Sequence, residues 1–260
     1  MIRRFCSQAW LNAKVNQGGL DLTEFLAYRV GISITTLIFY CLIANHATGQ
    51  IDLTRWVVGN AFALCIYECI FGLGICFNSD RYYGRLRSII VSPTSKLTVI
   101  MYYGVYSIFI AFLTIVVSFA TGGLIFGIPF NDLNLGMLML AISIAVFTCV
   151  GFGFLFAVLA LITDSIYLLL NAIGLLIIIF SGANFPVSQL PAFAQWIAHI
   201  FPLFRSVQAA NMSFGGEFSS LFGQLLIGEA ILGLVFYVMS FILIKIIERI
   251  AIKRATLEIF

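Results

Sequence analysis

Six long runs of apolar residues, at about 26–45, 56–77, 98–122, 135–162, 166–182 and 221–247, limit what this chain can fold into. Each matches or exceeds the roughly 17–25 residues that carry a helix across a bilayer. The runs are continuous, with no alternation at every second residue, and so predict helices rather than the strands of a barrel. The sequence is 62% hydrophobic and 10% charged, against about 45–50% and about 25% in ordinary soluble chains. Burying that much apolar surface needs lipid. This excludes a secreted or cytosolic enzyme and leaves no stretch for a large domain outside the membrane. A net charge of +3 is too small to suggest a nucleic-acid partner.

The first 24 residues read differently. Ile2, Phe5, Cys6, Ala9, Trp10 and Ala13 fall on one helical stripe, with Arg3, Arg4, Ser7 and Lys14 away from it, as in an interfacial helix lying on the membrane. A cleaved signal peptide fits less well, because Asn12, Lys14, Asn16, Gln17, Gly18 and Gly19 interrupt any apolar core. Of the 14 basic residues, all but Arg55 and Arg205 flank the first span, fill the loop after the second or follow the sixth. The positive-inside rule then places both termini and the 78–97 loop in the cytoplasm, which requires an even number of spans.

Two segments are not plain spans. In the 78–97 loop, Asn78, Ser79 or Asp80 offers a cap for a short helix, and Pro93 discourages helix at Ser92. Tyr82, Leu86 and Ile89 share one face, with Arg81, Arg85 and Ser88 on another. Such an apolar ridge suits docking into a groove of a soluble partner; a basic loop anchored on anionic lipid is the alternative. The external segment 183–220 is broken by Pro186, Pro191 and Pro202. Between the breaks Phe193, Trp196, Ile197 and Ile200 recur at helical spacing, predicting a piece that lies in the outer interface or dips into the outer leaflet.

Ionisable residues inside spans are few and informative. Glu68 is placed near the midplane of the second span, where a lone acid costs at least about 2.5–3.5 kcal/mol. It must be neutral, paired, or facing water, so a hydrogen bond between helices and a role in a pathway both stay open. Glu229 lies about eight residues into the last run and is expected at the outer interface. Asn60, Asn171 and Asn184 are further pathway candidates, although polar residues in spans commonly join helices. The cysteines predict no disulfide framework and no metal site: five sit in or at the ends of spans, Cys6 precedes them, and no CxxC pair occurs. Ser181 and His199 are the best pair for an intramembrane serine protease, but no orienting acid accompanies them. A channel or secondary transporter with no ATPase partner also fits six spans and a mid-membrane acid. No Thr-Val-Gly-Tyr-Gly filter is present.

The stretch Ser181-Gly182-Ala183-Asn184-Phe185-Pro186, then Leu190-Pro191, Trp196 and Phe201-Pro202-Leu203, resembles the fifth-span and external re-entrant pattern of type-2 ABC exporter permeases. The loop Asp80-Arg81-Tyr82-Tyr83-Gly84-Arg85-Leu86, continuing to Ile89-Ile90 and Ser92-Pro93, is similar to the family's cytoplasmic coupling helix, with Arg85 and Arg87 where the family often has Thr and Glu. The order of parts agrees over nearly the whole chain. The resemblance implies an all-α integral membrane fold of six transmembrane helices, with an interfacial helix, a coupling helix and external re-entrant helices before the last span. It implies an apolar or amphipathic cargo such as a drug, lipid or hydrophobic peptide, and a bacterial cell membrane. It also implies a second permease chain, packed through the second and fifth spans, and two ATPase subunits that hold ATP and Mg. No cofactor is expected on this chain: all four lysines are preceded by Ala, Ser or Ile, so the Gly-Lys of a phosphate-binding loop is missing.

Overall fold

A segment in hydrocarbon needs apolar side chains outside and a complete backbone hydrogen-bond ladder inside, and the computed structural model meets both with helices. It describes residues 21–49, 53–76, 96–130, 132–161, 165–215 and 219–254, with Ser7, Leu11, Asn78, Asp80, Gly84 and Thr163 between. Among these residues there are eight α-helices and no strand: α1 (Leu22–Thr48), α2 (Thr54–Gly74), α3 (Lys96–Phe126), α4 (Leu135–Leu159), α5 (Ile166–Phe180), α6 (Ala192–Ile200), α7 (Phe204–Met212) and α8 (Ser220–Arg254).

Their ends follow local chemistry. Asp21 precedes α1, with its N–H donating to Glu24 at 3.4 Å, and Gly49 ends the helix in the left-handed region at φ 61. Asn134 caps α4 by accepting from the Met137 N–H at 3.2 Å. Several polar side chains inside the helices donate to the carbonyl four residues back, as Ser33 does to Arg29, Thr121 to Val117 and Ser240 to Phe236. These polar atoms are thereby satisfied without water.

Five helices, α1 to α4 and α8, are long and apolar enough to cross a membrane. The sequence predicts six, and the described residues supply five, because the run expected over 166–182 is helical only from Ile166 to Phe180. Fifteen residues rise about 22 Å, short of a roughly 30 Å hydrocarbon core. The helix stops where Ser181 is followed by Gly182 at φ 73, a conformation that turns the chain out of the helix. The interfacial segment lies outside the described residues except for Ser7 and Leu11, both in helical backbone.

At the centre stands α2, packed by α1, α3, α4, α5 and α7. Its neighbour α4 is buried along most of its length and also packs on α8. Small residues permit these approaches. A Cβ on Gly153 of α4 would lie 2.8 Å from the Cys69 carbonyl of α2, and one on Gly151 would meet Tyr237 at 2.9 Å. The tightest is Gly59 of α2, where a Cβ would lie 2.3 Å from the Ala183 carbonyl oxygen. Backbone, not a flexible side chain, occupies that space. Cys41, Cys65, Cys69, Cys76 and Cys149 are buried free thiols that fill this core.

Gly59→Ala is therefore expected to force α2 away from the 181–184 turn and cost about 1–3 kcal/mol, the usual toll of overpacking. Thermal unfolding of the purified variant in detergent measures this, and an unchanged melting temperature contradicts the contact.

Candidate functional site

Asp80 stands at the base of the 78–97 loop and is almost fully buried. Its carboxyl accepts from the Tyr103 hydroxyl of α3 at 2.6 Å, so it fixes the start of the loop to the bundle rather than facing outward. Gly84 turns the chain at φ 69. Arg81, Tyr82, Tyr83, Arg85, Leu86 and Ile89, the rest of the docking ridge read from the sequence, lie outside the described residues.

The two polar candidates of α2 both turn inward. Glu68 is the fifteenth of 21 residues in α2, about one turn to the loop side of the helix centre, and forms an ion pair with Arg29 of α1. The Arg29 guanidinium carbon also lies 5.3 Å from the centre of the Phe25 ring, and Phe25 packs on Tyr106 of α3 with ring centres 6.1 Å apart. Three helices thus meet at one charge pair. Arg29 was legible only as one more basic residue flanking the first span; its separation of 39 positions from Glu68 hid the pairing. Nearly two turns from the other end of α2, Asn60 donates to the Trp56 carbonyl at 2.8 Å and to the Asn184 side chain at 3.2 Å. Asn60 and Asn184 therefore join α2 to the turn after α5. Asn171 is not with them. It donates to the Tyr167 carbonyl at 2.7 Å and lies on the open face of α5, among exposed Leu168, Leu175 and Ile179.

After α5 the prolines divide the chain as expected. Pro186 precedes a 3-10 turn over Val187–Gln189, and Pro191 precedes α6. Phe193, Trp196, Ile197 and Ile200 form an exposed stripe on α6, with Ala194 and Ala198 buried. Pro202 leads into Leu203, which is fully buried and left-handed at φ 81. For a residue with a Cβ this conformation costs about 1–3 kcal/mol, and something must hold it. That group is Glu229 of α8. Expected at the outer interface, it is instead completely buried, and its carboxyl accepts the Leu203 N–H at 2.7 Å. An acid from the last helix thus caps the N-terminus of α7, where unpaired N–H groups favour an acceptor. The Arg205 side chain packs on Gly228, whose added Cβ would meet it at 3.1 Å.

Between these parts lies a cavity of about 580 Å³, lined by Arg55 of α2, Ser181, Gly182, residues of the 186–188 turn, and polar and apolar side chains of α6, α7 and α8. Ser181 and His199 both line it. Among the described residues no Asp or Glu lines the cavity to orient the imidazole. The Ser181 hydroxyl accepts the Ala183 N–H at 3.3 Å, and the His199 ring stands edge-on to Phe204 at 4.9 Å.

Replacing one member of the Arg29–Glu68 pair strands the other, so Arg29→Gln and Glu68→Gln should each lower the melting temperature. The double variant should lose less than the sum, a coupling of about 1–3 kcal/mol; strict additivity in a thermal double-mutant cycle contradicts this. For Glu229, the Gln variant keeps an oxygen for Leu203 whereas Glu229→Leu leaves a buried N–H without an acceptor, at about 1–3 kcal/mol. Limited proteolysis of the 186–215 segment should accordingly be faster in the Leu variant than in the Gln variant.

A family model described as ABC-2 type transporter matches residues 6–214, from the N-terminal segment through α7. No curated protein matches the chain.

Proposed function

The chain belongs to the ABC-2 type transporter family, whose membrane domains are permease components working with ATPase subunits, and we propose that it is one half of an ATP-driven exporter. The observation that carries this reading is the family match over 6–214 on a chain with five membrane-length apolar helices. In the complete permease a second chain, identical or different, packs against this one. Two ATPase subunits bind ATP and Mg and hydrolyse the nucleotide. Both termini and the 78–97 loop face the cytoplasm of a bacterial cell. The fifth crossing is completed by α5 together with the turn that follows it.

The physical sequence of events starts at the loop. Tyr82, Leu86 and Ile89 form the apolar ridge of a coupling helix seated in a groove of the ATPase, with Arg81, Tyr83 and Arg85 around it. Asp80, held by Tyr103 at 2.6 Å, transmits the push of ATP-driven closure into α3. The Arg29–Glu68 pair ties α1 to α2 at that same end, so the inner ends of three helices move together. The open apolar face of α5, which carries Asn171, supports an interface with the second permease where an apolar or amphipathic cargo passes. Of the pathway candidates, Asn171 is the one free to meet cargo, while Glu68, Asn60 and Asn184 shape the walls. Transport is driven only if cargo binds the inward and outward arrangements with different free energies.

The test is a reconstituted vesicle assay. Combined Tyr82→Ala and Leu86→Ala should reduce ATP-driven transport roughly tenfold or more, the weight of two buried anchors at an interface, while the chain still inserts. Full transport by this variant, or transport driven by an ion gradient with no ATPase present, overturns the reading in favour of a secondary transporter or channel.

A further inference from the structure

The cavity beneath α6 has a chemistry that the coupling mechanism leaves unused. Its polar wall carries Arg55 from the first turn of α2 and His199 from the last turn of α6, with Gln208 and Asn211 from α7. Among the described residues no carboxylate lines it and Arg55 makes no ion pair. Ser181, Ser188 and Gln195 add further polar groups, and the apolar part of the lining includes Val187, Leu221 and Leu225 on different segments. A concave site of this volume, mostly apolar with a few converging polar groups, is the common form of a small-molecule pocket. A guanidinium offers parallel N–H donors to carboxylate or phosphate, and an imidazole offers at least one more.

The position of α6 adds a second constraint. Gln195 and His199, one turn apart, line the cavity, whereas Phe193, Trp196 and Ile200 lie on the opposite side of the helix and are exposed. An amphipathic helix with Trp on its open face settles at a lipid–water boundary. The cavity therefore lies against the edge of the lipid, with the Arg55 guanidinium, the His199 imidazole and apolar side chains in its lining.

We propose that this cavity is a binding site for an anionic amphiphile, with a carboxylate or phosphate headgroup held by Arg55 and His199 and an aliphatic chain along Val187, Leu221 and Leu225. The ligand is recognised by headgroup charge and chain together. A membrane phospholipid and a free single-chain acid share that chemistry. The site needs neither the ATPase nor the second permease chain, so it stands or falls separately from the exporter reading.

The full chain, purified in a nonionic detergent, is titrated calorimetrically with decyl phosphate, decanoate, decyl glucoside and inorganic phosphate, against empty micelles. Decyl phosphate and decanoate are expected to bind saturably, and Arg55→Gln with His199→Gln to weaken both about tenfold or more, as loss of charge-assisted hydrogen bonds implies. Arg55→Lys should retain part of the affinity. Arg55 and His199 are both exposed, so the substitutions should leave the elution profile and melting temperature unchanged. Tighter binding of decyl phosphate than decanoate identifies a phospholipid-type headgroup, and the reverse order a fatty-acid type; both support the site. Equal binding of decyl glucoside, inorganic phosphate bound as tightly as decyl phosphate, or affinity unchanged in the double variant overturns it.

Discussion

Polar groups in hydrocarbon have no water to fall back on, and the shape of this protein follows from where they find partners. Arg29 closes on Glu68, Asn60 on Asn184, Tyr103 on Asp80 and the Leu203 N–H on Glu229. Each link joins two segments that are distant in sequence: α1 to α2, α2 to the turn after α5, α3 to the base of the 78–97 loop, and α8 to α7. Apolar contacts alone discriminate poorly in lipid, because tails are as greasy as leucine. Four hydrogen-bonded links with fixed partners supply the register that greasy surfaces cannot.

Small residues do the complementary work of bringing backbones close. Gly59, Gly151 and Gly153 sit where a methyl group would strike a neighbour, and all three lie on α2 or α4, the two helices most enclosed by others. The helix that escapes this scheme is α5. It turns Ile166, Leu170, Gly174 and Ile177 toward the bundle and leaves the rest of its surface open. A short helix, held along one stripe and bare on the other, differs in kind from the rest of the core.

Much of this was legible in the sequence, and the limits have physical causes. Continuous apolar runs gave away the helical membrane fold, since hydropathy reports burial in lipid directly. Prolines at 186, 191 and 202 marked the breaks of the external segment because a missing N–H is a local property. What stayed hidden was pairing across distance. Hydropathy marks Glu68 as an acid that must be neutral, paired or wet, yet nothing local says that Arg29 is its partner. Glu229 was read as an interface residue because hydropathy counts depth along a helix and not rotation around it. The fifth run looked long enough to cross, but Ser181 and Gly182 are hydropathically neutral while Gly182 ends the helix by its backbone angle. The cavity beneath α6 is not legible in the sequence, because Arg55, His199 and Asn211 come from three separate helices.

The bond from Leu203 to Glu229 spans 26 positions, and its acceptor is the later residue. A left-handed Leu203 is strained on its own and is secured only when α8 brings Glu229 against the start of α7. Closing that turn and docking α8 are therefore a single cooperative event.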